Sequence, residues 1–184
     1  MKKGIKVFEV DHPATQNSKK EKLYEIFQML PNHVTYVPVD FNKEKFHSIL
    51  SANGYDRNLK TLFIWEGVSM YIYPEAVDET LSFVSKNSGK GSSIIFDYTY
   101  HDVVIGNYDR REAKEWLRIT KKHGEPLLFG IGIGELEQFL SERGFCNIKN
   151  VTSNYFSSNY FVGINKGRES TPILSIAHAE IRNQ

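Results

Sequence analysis

Four short apolar runs in this sequence end in acid: FEVD with Glu9 and Asp11, VPVDF with Asp40, FIWE with Glu66, and IIFD with Asp97. If these runs are strands of an open parallel sheet, their carboxyl ends border the crevice where ligands bind, because loops and helix N-termini there present free backbone donors. Carboxylates on such a rim accept hydrogen bonds from ribose hydroxyls, an exocyclic amine or an ammonium group, and they repel a phosphate-rich ligand. An aspartate after a strand also commonly caps the next helix. That use fits Asp40, and fits Asp97 better still. Glu66 differs, since glutamate is a poor N-cap and the surrounding FIWEGVSMYI is almost wholly apolar. A carboxylate carried into a core costs several kcal/mol unless it pairs or shifts its pKa. Glu66 is therefore expected where a strand ends and a cavity opens, as a ligand contact.

The elements that would hold these acids read as alternating strand and helix. Strand candidates are Ile5 to Val10, Val34 to Val39, Thr61 to Trp65 and Ser93 to Asp97. Between the first two, Lys19 to Leu30 sets Leu23, Ile26, Phe27 and Leu30 on one helical stripe, with Pro31 as its stop. Phe46, Ile49 and Leu50 mark a shorter helix ending before Asn53 and Gly54. Pro74 opens another, with Val77, Leu81 and Val84 inward. This alternation predicts an α/β fold with a parallel sheet and helices on its faces. Further on, helices are expected at Trp116 to Lys122 and Glu135 to Arg143. Two strands, Asn147 to Thr152 and Tyr160 to Asn165, are expected to form a C-terminal antiparallel hairpin through SNYFSSN. Cys146 reads as a core residue at the start of the first of them. Residues 166–184 read as a tail with no assigned role.

Composition narrows the classes. The chain has 184 residues, 40% hydrophobic and 24% charged, with a formal net charge of +1. That size and balance suit an ordinary globular domain, and the near-neutral charge speaks against nucleic acid as a partner. One cysteine, Cys146, allows no internal disulfide and fits a reducing cytoplasm. No apolar run reaches the length of a membrane span, so no membrane association is expected. The six histidines lack ligand spacing, so no metal is expected. Ser69 lies in no nucleophile elbow. The glycine run GIGIG at 130–134 is not followed by the acid that a dinucleotide loop requires.

Taken in order, FEVDHP, VPVDF, FIWEGVSMYIYPEAVDETL and GEPLLFGIGIGELEQFLSERGF resemble the leucine carboxyl methyltransferase family and its prokaryotic S-adenosylmethionine-dependent relatives. The resemblance runs from Lys6 to Asn165. It implies a Rossmann-like class I methyltransferase sheet, mostly parallel, binding S-adenosyl-L-methionine. By motif, Asp11 would accept from the ribose hydroxyls and Asp40 from the adenine amine, with Phe41 flanking the ring. Glu66 would pair with the ammonium of the methionine part, and Gly67 would leave room for its approach.

In that family a strand and a GxGxD loop precede FEVD, whereas this sequence starts only a few residues before it. The expectation is an N-terminally truncated, partial methyltransferase domain over residues 1–165, lacking the first strand and glycine-rich loop, and weak or inactive alone. The implied reaction is O-methylation of a carboxyl or hydroxyl acceptor, on a small molecule or a protein. A carboxylate acceptor needs alignment and water exclusion but no general base, so no catalytic residue is nominated. The competing expectation is a non-catalytic remnant, or a subunit that completes its sheet with a complementing N-terminal chain.

Overall fold

The computed structural model describes residues 4–182. Chain contacts divide the molecule into two compact units, Met1–Asp56 and Arg57–Gln184.

In the first unit, β1 (Val7–Asp11) and β2 (Val34–Pro38) pair in parallel, with Val7 opposite Val34 and Asp11 opposite Pro38. Parallel neighbours need a crossover, and α1 (Pro13–Phe27) supplies it. Pro13 sits in its first turn, where a missing N–H costs nothing. The helix thus begins six residues before the expected Lys19. It ends when Gln28 takes the left-handed conformation (φ 57°), ahead of Pro31. Of the expected inward stripe, Leu23 and Leu30 are half-buried, while Ile26 and Phe27 are exposed. A two-stranded sheet is too narrow to cover both sides of the stripe. The short α2 (Phe46–Ala52) buries Phe46 and Leu50.

The second unit is built on a four-stranded sheet of order β3-β4-β6-β5. Its elements follow as β3 (Leu62–Trp65), a 3-10 turn at Ser69–Tyr71, α3 (Pro74–Lys86), β4 (Ser93–Thr99) and α4 (His101–Val104). Then come α5 (Arg111–Lys122), α6 (Leu136–Ser141), β5 (Phe145–Val151), α7 (Ser153–Asn159), a second 3-10 turn at Gly163–Asn165 and β6 (Leu174–Ile181). β3 and β4 are parallel, and β6 runs antiparallel to both β4 and β5. The sheet is therefore mixed.

The expected C-terminal hairpin is corrected in its parts. SNYFSSN forms α7, capped by the Thr152 hydroxyl accepting from the Tyr155 N–H, and Tyr160 to Asn165 holds a 3-10 turn where a strand was expected. The antiparallel partner of β5 is β6, which lies inside the stretch read as a tail and pairs on both of its edges. Ser, Thr and Asn can turn a hairpin or start a helix with equal ease, and here the helix returns the chain to the sheet.

Strand alternation splits the sheet into two unlike faces. Phe63, Trp65, Ile94, Phe96, Tyr98, Ala177, Ala179 and Ile181 share the face that carries the core, with Phe63 edge-on to Phe83 of α3. Val77, Leu81 and Val84 of α3 are buried as the sequence predicts. A second cluster joins Met70, Val103, Ala113, Leu127 and Ile173. Cys146 falls on the other, half-exposed face, and its Sγ reaches the Ile181 carbonyl at 3.7 Å.

Candidate functional site

The first unit gathers Asp11, His12 and Asp40 at the carboxyl ends of two parallel strands. Asp11 is the last residue of β1 and Asp40 follows β2 by two positions, so strand geometry alone brings both acids to one rim. His12 caps α1, its Nδ1 accepting from the Ala14 N–H at 3.3 Å, and its Nε2 lies 3.8 Å from Asp40 Oδ2. Asp11 Oδ1 accepts from the His12 N–H at 2.8 Å, and its Oδ2 faces Lys19 Nζ at 3.2 Å. Lys19 also pairs with Glu9, and these two carboxylates hold its pKa above the ordinary lysine value against the opposing effect of burial. The buried Gln16 completes the set, donating to both the backbone and the carboxylate of Glu9.

Asp40 caps a turn. Its Oδ1 accepts from the Asn42 N–H at 3.1 Å, while α2 starts six residues on, with Lys45 at its N-cap position. Lys43 Nζ, 2.7 Å from Oδ2, is the main cause holding the Asp40 pKa below the carboxylate range. The Phe41 ring packs on Phe46 with centroids 5.4 Å apart. A carboxylate offers about four acceptor positions, so both acids keep capacity for further donors.

The second unit holds Glu66, Gly67 and Asp97. Glu66 is the first residue after β3 and is exposed, so it carries no burial cost and needs no ligand to neutralise it. The apolar run around it is explained by its neighbours: Trp65, Ser69, Met70 and Ile72 are buried on either side of an outward loop. Trp65 keeps its indole Nε1–H buried without a partner among the described residues. Gly67 has φ +70°, which favours glycine there, and the space beside its Cα is open. Its N–H donates to Asp97 Oδ1 at 2.8 Å. Asp97 lies within β4 and so holds a loop across the sheet; the helix-capping role expected of it is not used. Burial raises its carboxyl pKa, and the Gly67 hydrogen bond opposes that rise. The Ser69 hydroxyl donates to the Asp97 carbonyl at 2.6 Å and is fully buried, a packing role.

The structure therefore brings Asp11 and Asp40 together in one unit, and Glu66 and Gly67 in the other. The contacts of Lys19 and Gln16 with Glu9 and the Gly67–Asp97 bond escaped the sequence reading. Pairs at i and i+8 or i+30 leave no local signature.

The glycine run serves packing. A side chain at Gly130 would strike the Tyr100 and His101 backbone at 2.8 Å, where Ile131 bridges Tyr100. An open cavity of about 630 Å³ in the second unit is lined by Asp78, Lys86, Glu142, Arg143 and Arg182 among others, and by none of the predicted site residues. Among the described residues no His, Cys, Asp or Glu cluster is placed to hold a metal, and no helix is long and apolar enough to cross a membrane.

The family described as leucine carboxyl methyltransferase matches residues 1–85. The Bacillus subtilis (strain 168) protein YktD, whose name assigns it provisionally to the S-adenosyl-L-methionine-dependent methyltransferases, is 30% identical over 161 residues, covering 88% of this chain and 53% of its own. Among solved structures, an O-methyltransferase family protein from Burkholderia thailandensis aligns with a TM-score of 0.61 at 7% identity, over 97% of this chain and 44% of that one. Human N-acetylserotonin methyltransferase, solved with S-adenosylmethionine, aligns at 0.53 and 12% identity, over 98% and 41%. These likenesses establish the α/β, Rossmann-like class I methyltransferase fold, and the chain spans about half the length of the relatives it matches. By sequence, residues 1–85 match the leucine carboxyl methyltransferase family, and most of the chain is similar to bacterial proteins named provisionally as S-adenosyl-L-methionine-dependent methyltransferases.

Proposed function

We propose that this chain binds S-adenosyl-L-methionine and serves methyl transfer to an oxygen acceptor, a carboxyl or hydroxyl group. The observation that carries this reading is the pair Asp11 and Asp40, two accessible carboxylates at the carboxyl ends of adjacent parallel strands, with Phe41 beside the second. In the first unit, Asp11 is assigned the ribose hydroxyls and Asp40 the adenine amine, with the Phe41 face against the base. Lys43 is long and largely solvated, so it can yield its place on Asp40 to an amine donor at little cost. Within the second unit taken by itself, Glu66 beside Gly67 is an exposed acceptor suited to an ammonium group. The names of the relatives support the cofactor.

Bound in this way, the cofactor supplies an electrophilic methyl group. The protein's part is then to bind, align and exclude water, which is where displacement reactions gain most of their rate.

Calorimetric titration with S-adenosylhomocysteine tests the reading. Micromolar binding that weakens about tenfold in Asp40→Ala, the loss of a charge-assisted hydrogen bond, is the expected result. A well-folded sample that shows no heat of binding would overturn it.

A further inference from the structure

Glu9 and Asp11 alternate along β1, so their side chains leave the same face of the strand. Gln16 and Lys19, three apart on α1, share one face of the helix that follows. These two periods bring four polar side chains of the first unit together. Gln16 is 2% exposed, and its Nε2 donates to the Glu9 carbonyl at 3.1 Å and to Glu9 Oε2 at 2.7 Å. The other carboxylate oxygen of Glu9, Oε1, takes Lys19 Nζ. Glu9 is thus held at its backbone and through both carboxylate oxygens.

Lys19 stands between two carboxylates and carries charge enough for one. It makes its closer contact with Glu9 and lies 3.2 Å from Asp11 Oδ2. Glu9 is also the larger cause of the raised Lys19 pKa, ahead of Asp11. A carboxylate accepts about four hydrogen bonds, so Asp11, which meets the lysine at the longer distance, keeps room for further donors. Gln16 matters to that outcome. A buried amide that cannot reach water holds Glu9 Oε2 in place, and so keeps Oε1 on Lys19.

We infer that Glu9 is a positioning residue for the ligand site at Asp11: clamped by Gln16, it holds Lys19 back and leaves the Asp11 carboxylate open to the vicinal hydroxyls of a ribose. Glu9 acts through Lys19 and not on the ligand. An ammonium paired squarely with Asp11 would neutralise it and weaken the hydrogen bonds it can accept from hydroxyls. The inference rests on the assignment of Asp11 to the ribose made above, and deepens it by naming what keeps that acceptor available.

Two measurements on the full chain test it. The first uses no ligand: unfolding equilibria give the Lys19–Asp11 coupling from a double-mutant cycle of Lys19→Met and Asp11→Asn, in the natural protein and again in Glu9→Gln. Glu9→Gln keeps an oxygen for Gln16 and removes the charge that holds Lys19. The coupling should rise about threefold in that background, because Lys19 is then released to Asp11. The second is calorimetric titration with S-adenosylhomocysteine. Glu9→Gln should weaken binding about threefold, and Glu9→Gln combined with Lys19→Met should bind at least as tightly as the natural protein. A merely structural role for Glu9 would not be rescued by removing Lys19. Three results would each overturn the inference: a coupling that stays the same or falls, binding by Glu9→Gln equal to that of the natural protein, or a loss in Glu9→Gln that persists without Lys19. The cycle decides the inference even for a natural protein that binds no S-adenosylhomocysteine, an outcome that by itself would overturn the cofactor reading.

Discussion

The Gly67 N–H donates to Asp97 Oδ1 at 2.8 Å across thirty positions of sequence, and this bond ties the loop after β3 to the middle of β4. The glycine's positive φ turns its N–H back toward the sheet while Glu66, one residue earlier, stays in solvent. The side chain that orders this loop is thus Asp97, and the Glu66 side chain stays exposed.

Removing that acceptor should be costly. Asp97→Ala leaves the Gly67 N–H without its partner and is expected to lower unfolding stability by about 1–2 kcal/mol. Asp97→Asn keeps a carbonyl acceptor and should cost less than half as much. Urea unfolding of the three proteins reads the difference, and equal losses in both variants would contradict the role assigned to the bond.

The same carboxyl makes a pH prediction. Burial raises the folded-state pKa of Asp97 above its ordinary 3.8, so the fold favours the protonated form. Its contribution to stability is complete below the unfolded value and is lost as pH rises through the folded one. The stability of the natural protein should therefore fall relative to Asp97→Asn between about pH 3 and about pH 7. Melting temperatures across that range give the comparison, and a constant offset would argue against the shift.

Two glycines of one run should behave differently. At Gly130 an added Cβ meets fixed backbone at 2.8 Å, whereas at Gly132 the nearby atoms belong to the flexible Glu135 side chain. Gly130→Ala is expected to destabilise by about 1–3 kcal/mol. Gly132→Ala should cost well under half of that, because Glu135 can swing aside. Chemical denaturation ranks the two, and the reverse order would point to a role for Gly132 beyond packing.

Lys19 lies on the two acids of β1 and competes for Asp11. Lys19→Met should reduce stability by less than about 1 kcal/mol, as befits a partly exposed ion pair. It should tighten S-adenosylhomocysteine binding by about threefold at low salt, by freeing an acceptor. Loss of binding would mean that Lys19 itself contacts the ligand.

Much of the first half of the chain was legible in its residues. Val34 to Val39 and Thr61 to Trp65 are short β-branched and aromatic runs closed by acids, and Pro74 is followed by a regular apolar period, so these elements declare themselves locally. The second half was read less well, for a reason visible in β6. Its buried residues are Ser175, Ala177, Ala179 and Ile181, mostly too small to look like core, and only the strands on both of its sides leave space of that size. SNYFSSN has the composition of a turn and the structure of a helix, because its cap and the path to β6 were settled elsewhere.

The sequence by itself determined the α/β class, the succession of the first four strands along the chain and the placing of acids at or near their carboxyl ends, since each follows from periodicity within a few residues. Only the tertiary structure decided which of those acids are spoken for. Lys19 on Asp11, Lys43 on Asp40 and Gly67 on Asp97 are matters of where side chains meet, as is the exposure of Glu66 within an apolar run. Burial and partnership belong to the packed chain, and a linear pattern records only that a carboxylate stands at the end of a strand.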